Sequence, residues 1–312
     1  VTNKSALEEL FEHRMNYPDV GARDRLNHLV GLDEQKSRLT KILGLLVHSD
    51  GLKLWAKNHH PGASGVLSMV LSRPPLVVLA GDVGSGKTEL AETIGDAVAR
   101  QEKIDITLFP MSLSTRGQGR VGEMTQLLSA AFDYTIAEAG KLKDASGKAR
   151  GAVILLVDEA DALAQSREAA QMHHEDRAGV NAFIRGIDRI GKGHLPAAVI
   201  MCTNRLGALD PAVKRRAADI LIFKRPDKDQ RHTVLDAPLR QLGFSKSQVE
   251  AIVAVTGAQK GRDYGFAFSD LTQRLLPAIV LDAYPTNPVN PTRALEIARR
   301  MIPTPPFQEA AS

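Results

Sequence analysis

Cysteine is almost missing from this chain: Cys202 alone among 312 residues. A single thiol excludes any intrachain disulfide, and its place in the apolar run Ala197 to Thr203 predicts a buried, inert side chain. Aromatic residues are also scarce, at 4%. The scattered Lys and Arg residues therefore lack an accompanying stacking series, and the net charge of +4 reads as a solvated surface, which makes nucleic acid an unlikely partner. No apolar stretch approaches the roughly 20 residues that cross a bilayer, and residues 1–26 are charged throughout, unlike a secretory signal. The expectation is a soluble protein of the reducing cytoplasm with no membrane partner. There is no His-Glu-x-x-His pair for a zinc protease, and His173-His174-Glu175-Asp176 is rejected as a metal site because adjacent histidines point in different directions. What remains, 43% hydrophobic and 24% charged, is the composition of a folded chain long enough for two domains.

The apolar run Leu76 to Ala80 leads into Gly81-Asp82-Val83-Gly84-Ser85-Gly86-Lys87-Thr88, followed by Glu89 in a helical stretch. A strand feeding a glycine-rich turn that opens a helix converges backbone N–H groups and the positive end of the helix dipole on one anionic point. The natural occupant is the phosphate chain of a nucleoside triphosphate. The glycines let the backbone wrap it, Lys87 reaches its β and γ oxygens, and the Thr88 hydroxyl is placed to ligate Mg²⁺. A second apolar run, Ala152 to Val157, ends in Asp158-Glu159. Asp158 is the candidate for the magnesium shell, and Glu159 is the carboxylate that polarises a water. Asn204, at the end of the run Ala197 to Thr203, is a candidate to orient that water.

Strand candidates Leu76 to Ala80, Ile104 to Phe109, Ala152 to Val157, Ala197 to Thr203 and Ile220 to Phe223 alternate with helical stretches such as Thr88 to Gln101, Gly122 to Ala139 and Ala178 to Ile190. Fully apolar strands alternating with helices imply an α/β fold, a parallel sheet covered on both faces. Before it, residues 5–16 read as a helix, and a second helical segment is expected over Arg25 to Leu46, crossed by the short apolar stretch Leu29 to Asp33. After Pro226 the strand signal stops and helices are expected at Asp229 to Leu242, Ser245 to Thr256, Asp270 to Ala283 and Thr292 to Met301, the last capped by Asn290-Pro291. The expected organisation is an N-terminal helical extension (1–26), a nucleotide-binding domain (27–226), a helical lid (227–302) and a proline-rich mobile tail (303–312).

In order, Val30-Gly31-Leu32-Asp33, the phosphate loop, Asp158-Glu159-Ala160-Asp161, Thr203-Asn204, Leu209-Asp210-Pro211-Ala212 followed by Arg215-Arg216, and Pro226-Asp227 resemble the AAA+ ATPases that carry a second region of homology. The resemblance spans residues 27–300. It implies a homo-hexamer whose nucleotide is ATP, with contacts that include Val30 and Gly31, and an arginine, Arg216 first and Arg215 second, that reaches the neighbouring subunit's γ-phosphate. Such an arginine is worth on the order of a thousand-fold in rate. Arg216-Ala217-Ala218-Asp219-Ile220 and the stretch Phe268 to Pro277 look like the pachytene-checkpoint remodellers, which unfold part of HORMA-domain proteins. That subfamily's Ser-Gly-Arg lid sensor is replaced by Ser269-Asp270-Leu271, and Arg274 reads as a surface residue of a lid helix.

In the family, a Lys-aromatic-Val-Gly-Glu motif lines a central pore and grips the substrate. Here Gly119-Arg120-Val121-Gly122-Glu123 stands in its place, preceded by Arg116-Gly117-Gln118. A basic, glycine-rich grip favours acidic or polar segments. The resemblance implies an ATPase coupled to remodelling of a protein partner, of the HORMA-domain type, through an adaptor or directly. Bacterial relatives of this type are associated with antiphage signalling. The alternative is a nucleic-acid-associated loader or helicase-type ATPase, to which the basic isoelectric point gives slight support and for whose basic pore only Arg116 and Arg120 speak.

Overall fold

The computed structural model describes residues 10–113, 123–144, 148–164, 174–205, 207 and 209–307. These residues form two compact units, and the chain passes between them more than once: the stretches His28–Asp33 and Gly81–Lys87 belong with Phe223 onward, and the rest forms the other unit.

The larger unit is built on a six-stranded sheet. Its strands are β1 (Met15–Tyr17), β2 (Leu76–Gly81), β3 (Asp105–Ser112), β4 (Gly151–Asp158), β5 (Ala197–Thr203) and β6 (Ala217–Phe223), in the spatial order β1-β3-β4-β5-β2-β6. The pairs β3–β4, β4–β5 and β5–β2 are parallel. Every residue of Leu76–Ala80, Val153–Val157 and Ala197–Thr203 is buried, which requires cover on both faces and explains why these runs carry no polar alternation. On one face Leu155, Val157, Val199 and Met201 pack with Phe132 and Phe183, from α6 (Glu123–Lys141) and α8 (His174–Lys192). The two rings meet edge to face at 5.8 Å. The opposite residues, Val77, Leu79, Ile154, Leu156 and Ile200, are equally buried. Leu39 and Leu43 of α2 (Asp33–Val47) and Leu90, Ile94 and Val98 of α5 (Lys87–Glu102) are buried as well. Each such side chain contributes about 1.5–3 kcal/mol on burial. The expected buried thiol is found: Cys202 is 1% exposed.

Two expectations for the N-terminal region are corrected. Of the helix read over residues 5–16, Leu10 is helical, residues 11–16 are not, and the described part ends in β1, which pairs antiparallel with β3 through Met15↔Leu108 and Tyr17↔Ile106. The sheet therefore has a strand more than expected, and one edge is not parallel. The helix read over Arg25 to Leu46 is split into α1 (Val20–His28) and α2, because Gly31 takes φ +79° between them. Between α2 and β2 lie α3 (Asp50–His59) and α4 (Ser64–Leu71); α4 buries none of its residues. The short helices α7 (Asp161–Ala164) and α9 (Pro211–Lys214) follow β4 and precede β6. Among the described residues no helix is long and apolar enough to cross a membrane.

The second unit is helical: α10 (Lys228–Gln241), α11 (Lys246–Val255), a π-helical turn (Asp270–Leu275), α12 (Leu276–Ala283) and α13 (Pro291–Arg300). Capping boxes start α10, between Asp227 and Gln230, and α11, between Ser245 and Gln248. The cap expected at α13 forms, with Asn290 accepting from Thr292 N and Arg293 N. Leu235, Leu239, Ile252, Phe266, Leu271 and Leu275 make its core. The widened turn precedes Pro277, which has no N–H to donate back into it.

The mobile tail is likewise corrected for residues 303–307. Asp270, fully buried, accepts from Ala267 N (2.9 Å), Thr304 Oγ1 (2.8 Å) and Arg274 Nη1 (2.7 Å). Arg274 is exposed, as expected of a surface residue, and its Nη2 also donates to Ile302 O at 3.1 Å, so it holds the tail. Residues 308–312 lie outside the described chain.

Candidate nucleotide site

The phosphate loop belongs to the second unit. Gly81 has φ +151° and Gly84 φ +69°, the region that favours glycine. A Cβ at Gly81 would meet Phe223 O at 2.0 Å, and one at Gly84 would meet Ser269 Oγ at 2.0 Å. The loop is thus pressed against β6's last residue and the lid: a larger residue at Gly81 would strike backbone, and one at Gly84 would be strained by its φ and force the Ser269 hydroxyl to turn. Lys87 is 7% exposed and its Nζ donates to Gly81 O (3.0 Å) and Asp82 O (2.8 Å). Ser85 Oγ donates to the same Asp82 carbonyl at 2.7 Å. Val83 and Thr88 are exposed, and Gly86 is half-buried. With carbonyls gathered on an ammonium and a hydroxyl, the donor set of backbone N–H groups, Lys87 and the Thr88 hydroxyl at a helix start fits a magnesium-bound polyphosphate. In the same unit, Val30 packs on the lid core and Gly31 O accepts from Gln230 Nε2 at 2.8 Å. Glu89, in the first turn of α5, faces Arg25 at 3.4 Å within the larger unit.

The acidic residues sit where the larger unit's parallel strands end. Ala80 pairs with Thr203, Val157 with Met201 and Ser112 with Asp158, so these strands finish along one edge. Glu159 is exposed and held at φ +50°, a conformation an L-residue adopts at a cost of order 1–3 kcal/mol. Its N–H donates to Asp158 Oδ1 at 2.8 Å. Ser112 Oγ donates to its Oε2 at 2.6 Å.

Asp161 organises the other side of this edge. Its Oδ1 accepts from Thr203 Oγ1 (2.8 Å) and Asn204 N (2.8 Å), and its Oδ2 from Asn204 Nδ2 (3.3 Å). A carboxylate must face the nitrogen end of the amide, so the Asn204 carbonyl end is turned away from Asp161. Glu159 and Asn204 are legible as candidates in the sequence, whereas the holding roles of Ser112 and Asp161 are not. Asp161 was visible as the last residue of a motif. Ser112 was hidden because the strand was expected to end at Phe109.

Arg215 and Arg216 follow α9, which Asp210 caps by accepting from Ala212 N at 2.7 Å. Arg216 makes a two-pronged pair with Asp188 of α8, Nε at 2.7 Å and Nη2 at 2.9 Å. That bond holds the Asp188 carboxyl below its usual range against a smaller opposing effect of burial. Arg215 is exposed. Arg116, Gly119, Arg120 and Val121 lie outside the described residues, as do Met172 and His173.

Residues 77–225 match the family described as ATPase family associated with various cellular activities (AAA). The chain is 67% identical to CD-NTase-associated protein 6 of Escherichia coli strain MS 115-1, over 97% of this chain and 98% of the relative. It superposes with a TM-score of 0.90 on a chain from the E. coli MS115-1 HORMA:CdnC:Trip13 complex, at 66% identity and covering 97% and 99% of the two chains. It superposes with a TM-score of 0.75 on the Trip13 of a Rhizobiales bacterium, at 59% identity over 95% and 100%.

Proposed function

The chain belongs to the AAA ATPases and to the family of CD-NTase-associated protein 6, and from that premise we propose that it hydrolyses ATP as a homo-hexamer to remodel a HORMA-domain protein in antiphage signalling. The observation that carries the reading is the likeness, over nearly the whole chain, to the Trip13 component of a HORMA:CdnC:Trip13 complex.

Backbone N–H groups of Val83 to Thr88, with the Lys87 ammonium, hold the triphosphate. Thr88 and Asp158 would hold Mg²⁺, which would neutralise charge on the phosphate oxygens when bound. Glu159 accepts the proton of the attacking water, and Ser112 holds its carboxylate until it is needed. Asn204, fixed by Asp161, presents its amide to the same water. Arg216 or Arg215 acts at the neighbouring subunit's γ-phosphate, where charge stabilisation rather than covalent chemistry is required. For Arg216 this demands release of Asp188. Arg120, with Arg116, Gly119 and Val121 around it, grips the partner's chain.

The test is to mix the Glu159→Gln protein, ATP and a HORMA-domain protein. Binding that persists with Glu159→Gln, and ATP-dependent disassembly of the HORMA protein's complexes with wild type, are expected. A wild-type enzyme that turns over ATP without altering any HORMA complex refutes the remodelling reading. Arg120→Ala is expected to hydrolyse ATP but to lose disassembly. Normal disassembly by that variant refutes the grip.

A further inference from the structure

Asp82 places a negative charge in a loop whose occupant is proposed to be a polyphosphate, and the second unit surrounds that charge with donors. Its Oδ2 accepts from Arg225 Nε at 2.5 Å. Its Oδ1 accepts from Val83 N at 2.8 Å and from Phe307 N, far away in sequence, at 3.1 Å. The ion pair is little exposed, 15% for Asp82 and 12% for Arg225, so solvent screens it weakly. Arg225 is itself fixed on three further sides. Nη1 donates to Gly265 O (2.7 Å), Nη2 donates to Thr304 O (2.8 Å), and the guanidinium lies over the Tyr264 ring at 5.0 Å. The tail is in turn held by Asp270 and Arg274 through Thr304 and Ile302. A continuous chain of polar contacts therefore runs from the lid's buried carboxylate, through residues 302–307, to the second residue of the phosphate loop.

We propose that residues 303–307 are a positioning strap for the phosphate loop: with Arg225, the Phe307 N–H neutralises Asp82 and holds it in its turn on Val83, so the strap sets nucleotide affinity. This rests on the reading of the loop as an ATP site. Without the strap, Asp82 loses a donor, the Val83 turn loosens and the carboxylate, though still paired with Arg225, is less well shielded from incoming phosphate. Asp82 and Phe307 are positioning residues; neither touches the reacting atoms.

Phe307→Pro removes the N–H and leaves the rest of the strap, in a stretch that already carries Pro303, Pro305 and Pro306. Phe307→Ala keeps the N–H and removes the ring. Binding of a fluorescent ADP analogue with Mg²⁺ is expected to weaken about fivefold in Phe307→Pro, a fraction of what a fully shielded charged hydrogen bond is worth, and to stay within twofold of wild type in Phe307→Ala. In an Asp82→Ala background Phe307→Pro is expected to change nothing further. Hydrogen exchange at residues 82–84 of the nucleotide-free protein is expected to speed up in Phe307→Pro alone, with an unchanged melting temperature. Should Phe307→Pro fail to fold, a chain ending at Pro306 removes the same N–H. Wild-type affinity in both strap variants, or an undiminished effect of Phe307→Pro in the Asp82→Ala background, overturns the proposal. Wild-type protein that binds no nucleotide, or Lys87→Ala that binds it fully, overturns the ATP reading beneath it instead.

Discussion

Replacing Asp161 separates holding the fold from orienting the Asn204 amide, the group proposed to face the attacking water. Its carboxylate takes three hydrogen bonds, from Thr203 Oγ1, Asn204 N and Asn204 Nδ2. Bonds to a charged acceptor are worth about 1.5–3 kcal/mol each, but only when the partner cannot turn to water. Thr203 is 1% exposed and cannot; Asn204 is half-buried and partly can. Asp161→Ala is therefore expected to cost about 3 kcal/mol of stability, tolerable against the usual 5–15 kcal/mol. Asp161→Asn keeps an oxygen for Thr203 and Asn204 N, and is expected to cost about 1 kcal/mol. Its new N–H₂ group, however, meets Asn204 Nδ2 donor to donor. The Asn204 amide must then reverse, presenting hydrogens where it had presented oxygen. Misorientation of a group at the reacting water costs on the order of a hundredfold in rate. Both variants are thus expected to bind nucleotide like wild type, and to lower single-turnover hydrolysis at saturating ATP by about tenfold to a hundredfold, although they differ in melting temperature. If Asp161→Asn hydrolyses within twofold of wild type while melting lower, Asp161 is only a structural brace, and the role given to Asn204 falls with it.

Lys87→Ala is expected to abolish nucleotide binding, and Glu159→Gln to keep binding and stop turnover because an amide accepts no proton; native turnover by Glu159→Gln, measured by phosphate release, refutes its role as base. Arg216→Ala, alone and with Arg215→Ala, is expected to leave affinity near wild type and to collapse hydrolysis. Mixed with Glu159→Gln subunits, it is expected to recover part of the activity, and no recovery in verified mixed rings counts against an arginine acting on the neighbouring site. Burial raises the pKa of Asp270, but hydrogen bonds from Ala267 N, Thr304 and Arg274 outweigh it and hold the carboxyl below its ordinary 3.8. A folded-state pKa below the unfolded one stabilises the fold above the unfolded value and is lost as pH falls through the folded one. Acid melts from pH 6 to about pH 3 are therefore expected to destabilise wild type more than Asp270→Asn, and parallel losses in the two proteins refute the assignment.

The central strands were legible because burial on both faces leaves uninterrupted apolar runs, and the carboxylates and Asn204 were legible because they stand where those runs stop. What was missed has physical reasons. β1 is three residues long, Met-Asn-Tyr, too short for any period to declare itself. Pro110 made β3 look finished at Phe109. Yet β1 pairs only as far as Leu108 on that side of β3, and the bonds to β4 continue to Ser112, so the missing N–H costs no ladder bond. The strap was read as a mobile tail because its prolines mark loops, whereas its anchors, Asp82, Arg225 and Asp270, lie far from it in sequence. The grip proposed for Arg120 and its neighbours rests on motif resemblance, since these residues lie outside the described ones.

The buried state of Cys202 turns this chain into a convenient optical and magnetic ruler. At 1% exposure the thiol is shielded from maleimides and nitroxide reagents while the fold is intact, and no other cysteine competes. New cysteines at exposed Val66, in the larger unit, and exposed Tyr284, in the helical one, would be the sites that label. Spin-spin or fluorescence distances between them would then follow the two units through binding, hydrolysis and release, with the native sequence otherwise untouched.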